Sequence, residues 1–136
     1  MSQNKGKEIG LAVIGCGTIG RIRSEFAKNY PGVGWIGLCD IKEDLGRKLE
    51  KDVGADFFTT NAAKLLARPE VTAAIIATDE NNHMEPILAA CERSLDLFIE
   101  KPLATNALES EKVLKAIEAC GCDAVIGYTY RFRRRF

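Results

Sequence analysis

The segment Gly15-Cys16-Gly17-Thr18-Ile19-Gly20 sets three glycines at G-x-G-x-x-G spacing, a pattern whose backbone can close around a phosphate. Glycine is common in turns, so the pattern takes its meaning from its setting. Here it directly follows an apolar run, Ile9 to Ile14, and opens a segment of helical period. In that setting Gly15 makes the tight turn, Gly17 admits a pyrophosphate close to the backbone, and Gly20 lets helix and strand pack. The free N–H groups of the helix start, from Thr18 and Ile19 onward, receive the diphosphate at the positive end of the helix dipole. Asp40 stands twenty residues beyond Gly20, followed by Ile41, at the end of the next apolar run. A carboxylate there can accept hydrogen bonds from both adenosine ribose hydroxyls and repels a 2′-phosphate. The expected ligand is NAD rather than NADP, with Lys42 and Arg21 the nearby cations that weaken the preference.

These residues need strands to carry them and helices to follow. Apolar runs of strand length (Ile9 to Ile14, Trp35 to Cys39, Asp56 to Phe58, Ala73 to Ala77, Leu95 to Ile99, Ala124 to Gly127) alternate with amphipathic segments. The fold class is therefore α/β, a doubly wound, mostly parallel sheet of about six strands with helices on both faces. Four stripes are expected to face the sheet: Ile19, Ile22, Phe26 and Tyr30; Leu45, Leu49 and Val53; Met84, Ile87, Leu88 and Cys91; Val113, Leu114, Ile117 and Cys120. Asn106 with Glu109 reads as a capping pair for the last helix, and Gly121 as its stop.

Nineteen basic residues balance nineteen acidic ones, so no net field draws the chain to nucleic acid or to a membrane surface. At 136 residues and 46% apolar content, one domain is expected, with a polar, flexible start over residues 1–7. The apolar stretch after it is too short for a signal peptide or a membrane span. Five cysteines, odd in number and without zinc-site spacing, fit a reducing cytoplasm and imply no metal. Cys120-Gly121-Cys122 reads as small thiols near a helix end, without a role of its own.

Three further segments fall at strand ends: Thr78-Asp79-Glu80-Asn81-Asn82-His83, Glu100-Lys101-Pro102, and Gly127-Tyr128-Thr129-Tyr130-Arg131-Phe132. With the glycine loop they form an ordered set that resembles the N-terminal domain of the glucose-fructose oxidoreductase, inositol dehydrogenase and MocA family. The resemblance covers nearly the whole chain. It implies an NAD-dependent oxidoreductase that acts on a CH–OH carbon of a sugar or polyol. It puts Glu100 near the nicotinamide ribose and Lys101, the catalytic candidate, at the reacting carbinol, with a Lys101–Pro102 bond that is often cis. An ammonium there can hydrogen-bond the oxygen as its proton leaves. Thr78 and His83 match the family pattern and join the cofactor-binding set, although His83 could equally be an exposed helix-start residue. Asp79 and Glu80 depart from that pattern and would weaken the binding of an anionic cofactor unless they face solvent or a cation.

The resemblance also implies a second, substrate-binding domain with further catalytic residues and the usual surface for a homo-oligomer. This chain stops at Phe136, so residues 128–136 read as the start of a link, and the chain alone as catalytically incomplete. A stand-alone nucleotide-binding or partner-binding module is the alternative. The arginines and aromatics from Tyr128 to Phe136 could contact nucleic acid, but their alternation fits a strand leaving the sheet, and no nucleic-acid partner is expected.

Overall fold

The computed structural model describes residues 8–127, the side chain of Glu80 excepted. The tail from Tyr128 to Phe136 and the start over residues 1–7 lie outside the described residues. Strands and helices alternate as β1 (Ile9–Ile14), α1 (Thr18–Lys28), β2 (Val33–Cys39), α2 (Glu43–Val53), β3 (Phe57–Thr59), α3 (Ala62–Leu66), β4 (Ala73–Ile76), α4 (Met84–Glu92), β5 (Asp96–Glu100), α5 (Ala107–Cys120) and β6 (Ala124–Gly127). A 3-10 turn, Glu80–Asn82, leads into α4. All six strands are parallel, in the order β3-β2-β1-β4-β5-β6. That order reverses between β1 and β4, so the crevice at the carboxyl ends of those two strands is where an open α/β sheet takes its ligand.

Side chains alternate across each strand and feed two cores. Ala12, Ile14, Ala74, Ile76, Leu97 and Ile99 face one way, with Leu65, Leu66, Ile87, Ala90 and Val113 of α3, α4 and α5 above them. Leu11, Val13, Ile36 and Leu38 face the other way, against Ala27 of α1 and Leu49 and Val53 of α2. The Asn106 side chain caps α5 by accepting from the Glu109 amide, and Gly121 ends the helix in the left-handed region. α3 and the 3-10 turn are too short to show a period in sequence.

One expected stripe is reversed. Ile19, Ile22, Phe26 and Tyr30 are exposed, Phe26 by 77%, while Gly20, Ser24 and Ala27 form the buried face of α1. Small residues at this spacing let the helix lie close on the strands, which the glycine loop beneath it requires. Leu114 is also exposed, and Val113 alone of that stripe is fully buried. Helices cover both faces as expected, α3, α4 and α5 on one and α1 and α2 on the other. On the α1 side Ile75, Phe98 and Val125 line an apolar groove bordered by Arg23, Phe26 and Tyr30.

Candidate dinucleotide-binding site

The crevice at the β1/β4 reversal is lined by Gly15 and Gly17 after β1, Asp40, Ile41 and Lys42 after β2, and Thr60 and Ala62 after β3. Thr78 and Asp79 after β4, with Asn82, Glu85 and Pro86 at the start of α4, close the remaining side.

The loop is shaped by backbone contacts. Gly15 sits at φ +104, and a Cβ there would run into the Ala77 carbonyl of β4. A Cβ at Gly20 would run into the Gly15 carbonyl oxygen, whereas one at Gly17 would meet nothing within 4 Å. The two outer glycines are thus demanded by the fold, and the middle one opens toward the crevice. Helix α1 starts at Gly17 with no side-chain cap and no acidic residue in its first turn. Its first amides therefore remain available to an anion. Thr18 and Ile19 are exposed at this end.

Asp40 holds the loop in place. Its Oδ2 accepts from the Cys16 amide at 2.7 Å and its Oδ1 from the Lys42 amide at 2.8 Å. Each carboxylate oxygen retains acceptor capacity for a hydroxyl, so bracing the loop and meeting a ribose are compatible. Cys16 is buried as expected. Burial first, then the Asp40 charge, pushes its thiol up to about 12, and burial pushes Cys39 up to about 11, so both are inert neutral groups. Arg21 is committed elsewhere, to Asp52 at 2.8 Å and Glu25 at 3.3 Å, which leaves Lys42 as the cation in the crevice lining. Ile41 is 83% exposed at the rim.

The far side is built from long-range pairs. His83 is 1% exposed, which corrects the exposed helix-start alternative. Its Nδ1 faces the Pro102 carbonyl at 2.8 Å and its Nε2 the Thr78 carbonyl at 3.0 Å. Both partners are acceptors, so an uncharged ring donates to one of them at a time. The ring ties the loop after β4 to the loop after β5. Glu100 pairs with Arg23 Nε at 2.7 Å, joining β5 to α1, and Arg23 also lies over the Phe98 ring. Lys101 is exposed, and its bond to Pro102 is cis. Thr78 Oγ1 is buried with no hydrogen-bond partner. An orphaned hydroxyl, an open Gly17 and an uncapped helix start all fit a dinucleotide.

Sequence reasoning missed Arg23, Asn82 and Glu85. Arg23 lies 77 residues from its partner, beyond any local pattern. Asn82 and Glu85 bracket His83 in sequence, and the helix start there was the available signal.

Sheet order, glycine loop and crevice together define a dinucleotide-binding Rossmann domain. Residues 9–128 match the profile of an oxidoreductase family with an NAD-binding Rossmann fold. The chain belongs to that family, that of glucose-fructose oxidoreductase, inositol dehydrogenase and MocA. It is 33% identical over 128 residues to inositol 2-dehydrogenase of Gluconacetobacter diazotrophicus, covering 91% of this chain and 38% of that one. It is 26% identical over 126 residues to myo-inositol 2-dehydrogenase of Thermotoga maritima, covering 93% and 38%. The fold superposes on scyllo-inositol dehydrogenase of Lactobacillus casei, solved with NAD(H) and scyllo-inositol, with TM-score 0.86, 18% identity and coverage of 93% and 38%. The chain thus spans little more than a third of the length of these relatives.

Proposed function

We propose that this chain is the cofactor-binding part of an NAD-dependent oxidoreductase that interconverts a CH–OH carbon of inositol or a similar polyol and the corresponding carbonyl. The observation that carries the reading is the uncapped start of α1 at Gly17, open to the crevice and set beside Asp40. NAD supplies the acceptor for the hydride when bound. The amides of Thr18, Ile19 and Gly20 hold the diphosphate, and Asp40 accepts from the adenosine ribose, with Ile41 giving apolar ground beside it. Gly15 and Gly20 keep the loop in shape. Thr78 offers its free hydroxyl to the cofactor, while His83 fixes the positions of the Thr78 and Pro102 backbones rather than touching the reaction. Glu100, aligned by Arg23, lies on the nicotinamide side, and Lys101 meets the substrate oxygen and stabilises its developing charge.

The chain spans little more than a third of the length of its relatives, so this chain alone should bind NAD and leave it oxidised in the presence of myo-inositol. The measurement is NADH fluorescence: a binding isotherm with added NADH, and no new NADH from NAD and myo-inositol. Turnover by this chain would refute catalytic incompleteness. Failure to bind at millimolar cofactor would refute the cofactor assignment. The absence of half-cystines and the inert buried thiols support a reducing, cytoplasmic setting. No helix among the described residues is long and apolar enough to cross a membrane.

A further inference from the structure

The opposite end of the sheet holds a group of side chains that the cofactor does not use. Cys91 ends α4 just before β5, and Cys120 and Cys122 flank the turn between α5 and β6, so all three lie at the amino ends of strands, away from the glycine loop. Their sulfurs lie within 4.8 Å of one another, the one such ligand cluster among the described residues. Cys91 is buried, and the other two are half-buried and reachable from solvent.

Local backbone chemistry brings them together. Gly121 adopts φ +67, which lets the chain reverse so that Cys120 and Cys122 present their sulfurs on one side, 2.7 Å apart. The Cys122 amide points at the Cys120 sulfur at 3.4 Å, a donor that stabilises a thiolate. The carboxyl ends of α4 and α5 converge here and direct negative dipole ends at the cluster, an environment that favours a cation. Three thiols so close cannot all ionise by themselves.

We propose that Cys91, Cys120 and Cys122 form a three-thiolate site for one thiophilic cation, Zn2+ or Cu+, that clamps the end of α4 to the turn between α5 and β6. All-sulfur donors select these ions over hard cations. Zn2+ would complete a tetrahedron with water, whereas Cu+ needs only the three sulfurs. Binding exchanges the three thiol protons for the metal ion with no change of oxidation state: three S–H bonds break, three metal–sulfur bonds form, and three protons pass to solvent.

The test is titration of the fully reduced chain with Zn2+ against a chromophoric chelator, and with Cu+ against a Cu+-selective one. One equivalent per chain is expected for at least one ion, and the arm that binds more tightly tells the two apart. Cys122→Ser should weaken binding at least about a hundredfold, while circular dichroism and NADH binding stay as in the parent. Should that variant not fold, alkylation of the parent, mapped by mass spectrometry, reads the same site: metal must protect Cys91, Cys120 and Cys122 and leave the reactivity of Cys16 and Cys39 unchanged. No uptake by the reduced chain, uptake equal in Cys122→Ser, or protection of other cysteines overturns the proposal. If Zn2+ is the ion that binds, a Cys120–Cys122 disulfide that forms in air at the same rate with and without it also overturns the proposal.

Discussion

The two sides of the crevice are built in different ways. On the β1–β2 side, the site is mostly backbone: glycines with no room for a Cβ, an uncapped helix start, and one carboxylate that braces the loop through two amides. On the β4–β5 side it is a set of side chains tied across long stretches of chain, His83 to the Pro102 carbonyl and Arg23 to Glu100. In the proposed reading the first side takes what every dinucleotide shares, a diphosphate and a ribose. In the same reading the second positions the reacting end. A backbone site resists substitution at the fold level, whereas a side-chain site can be retuned.

Substitutions at two glycines of the same loop should break this comparison most forcefully. Gly20→Ala drives a Cβ into the Gly15 carbonyl and should cost about 3 kcal/mol or more in urea unfolding. Gly17→Ala finds open space at an ordinary φ of −71 and should fold with the parent's stability within about 0.5 kcal/mol. It should nevertheless lose NADH affinity, because the methyl occupies the diphosphate's approach. On the other side, His83→Ala removes a buried ring and leaves a carbonyl without its donor, for a cost of about 2–4 kcal/mol by the same assay. Equal stability of His83→Ala and the parent would mean that the ring does not hold these loops.

Smaller effects should follow from charge. Glu100→Gln weakens the pair with Arg23, whose side chain is 36% exposed, so the loss should be about 1 kcal/mol at low salt and less at high salt. The crevice carries Asp40, Asp79 and Glu85 against Lys42. Asp79→Asn should therefore raise NADH affinity by about two- to fivefold in a fluorescence titration, and unchanged affinity would place that carboxylate's field in solvent.

How far each region could be read in sequence follows the same division. The apolar runs gave strands close to the observed bounds, and Gly15, Gly17, Gly20 and Asp40 stand where their spacing placed them, because strand period and phosphate-loop geometry are local properties. Helix α1 was misread because Ile19, Ile22, Phe26 and Tyr30 keep a helical period while the packing demands small residues. Gly20 presses on the Gly15 backbone, and Ser24 donates to the Gly20 carbonyl in the same buried line. Size, not hydrophobicity, decides which face turns inward. The tie from His83 to Pro102 and the pair of Arg23 with Glu100 were invisible because topology alone brings those residues together. Cys91 joins Cys120 and Cys122 for the same reason.

The central claim is that the β1–β2 side binds NAD and that Asp40 selects it. Calorimetric titration of the chain with NAD and with NADP, repeated on Asp40→Ala, tests that claim most directly. NAD should bind tighter than NADP by at least about tenfold, a difference of about 1.4 kcal/mol, and the gap should shrink or reverse in Asp40→Ala. Equal or tighter binding of NADP by the parent, or a preference untouched by the substitution, would contradict it.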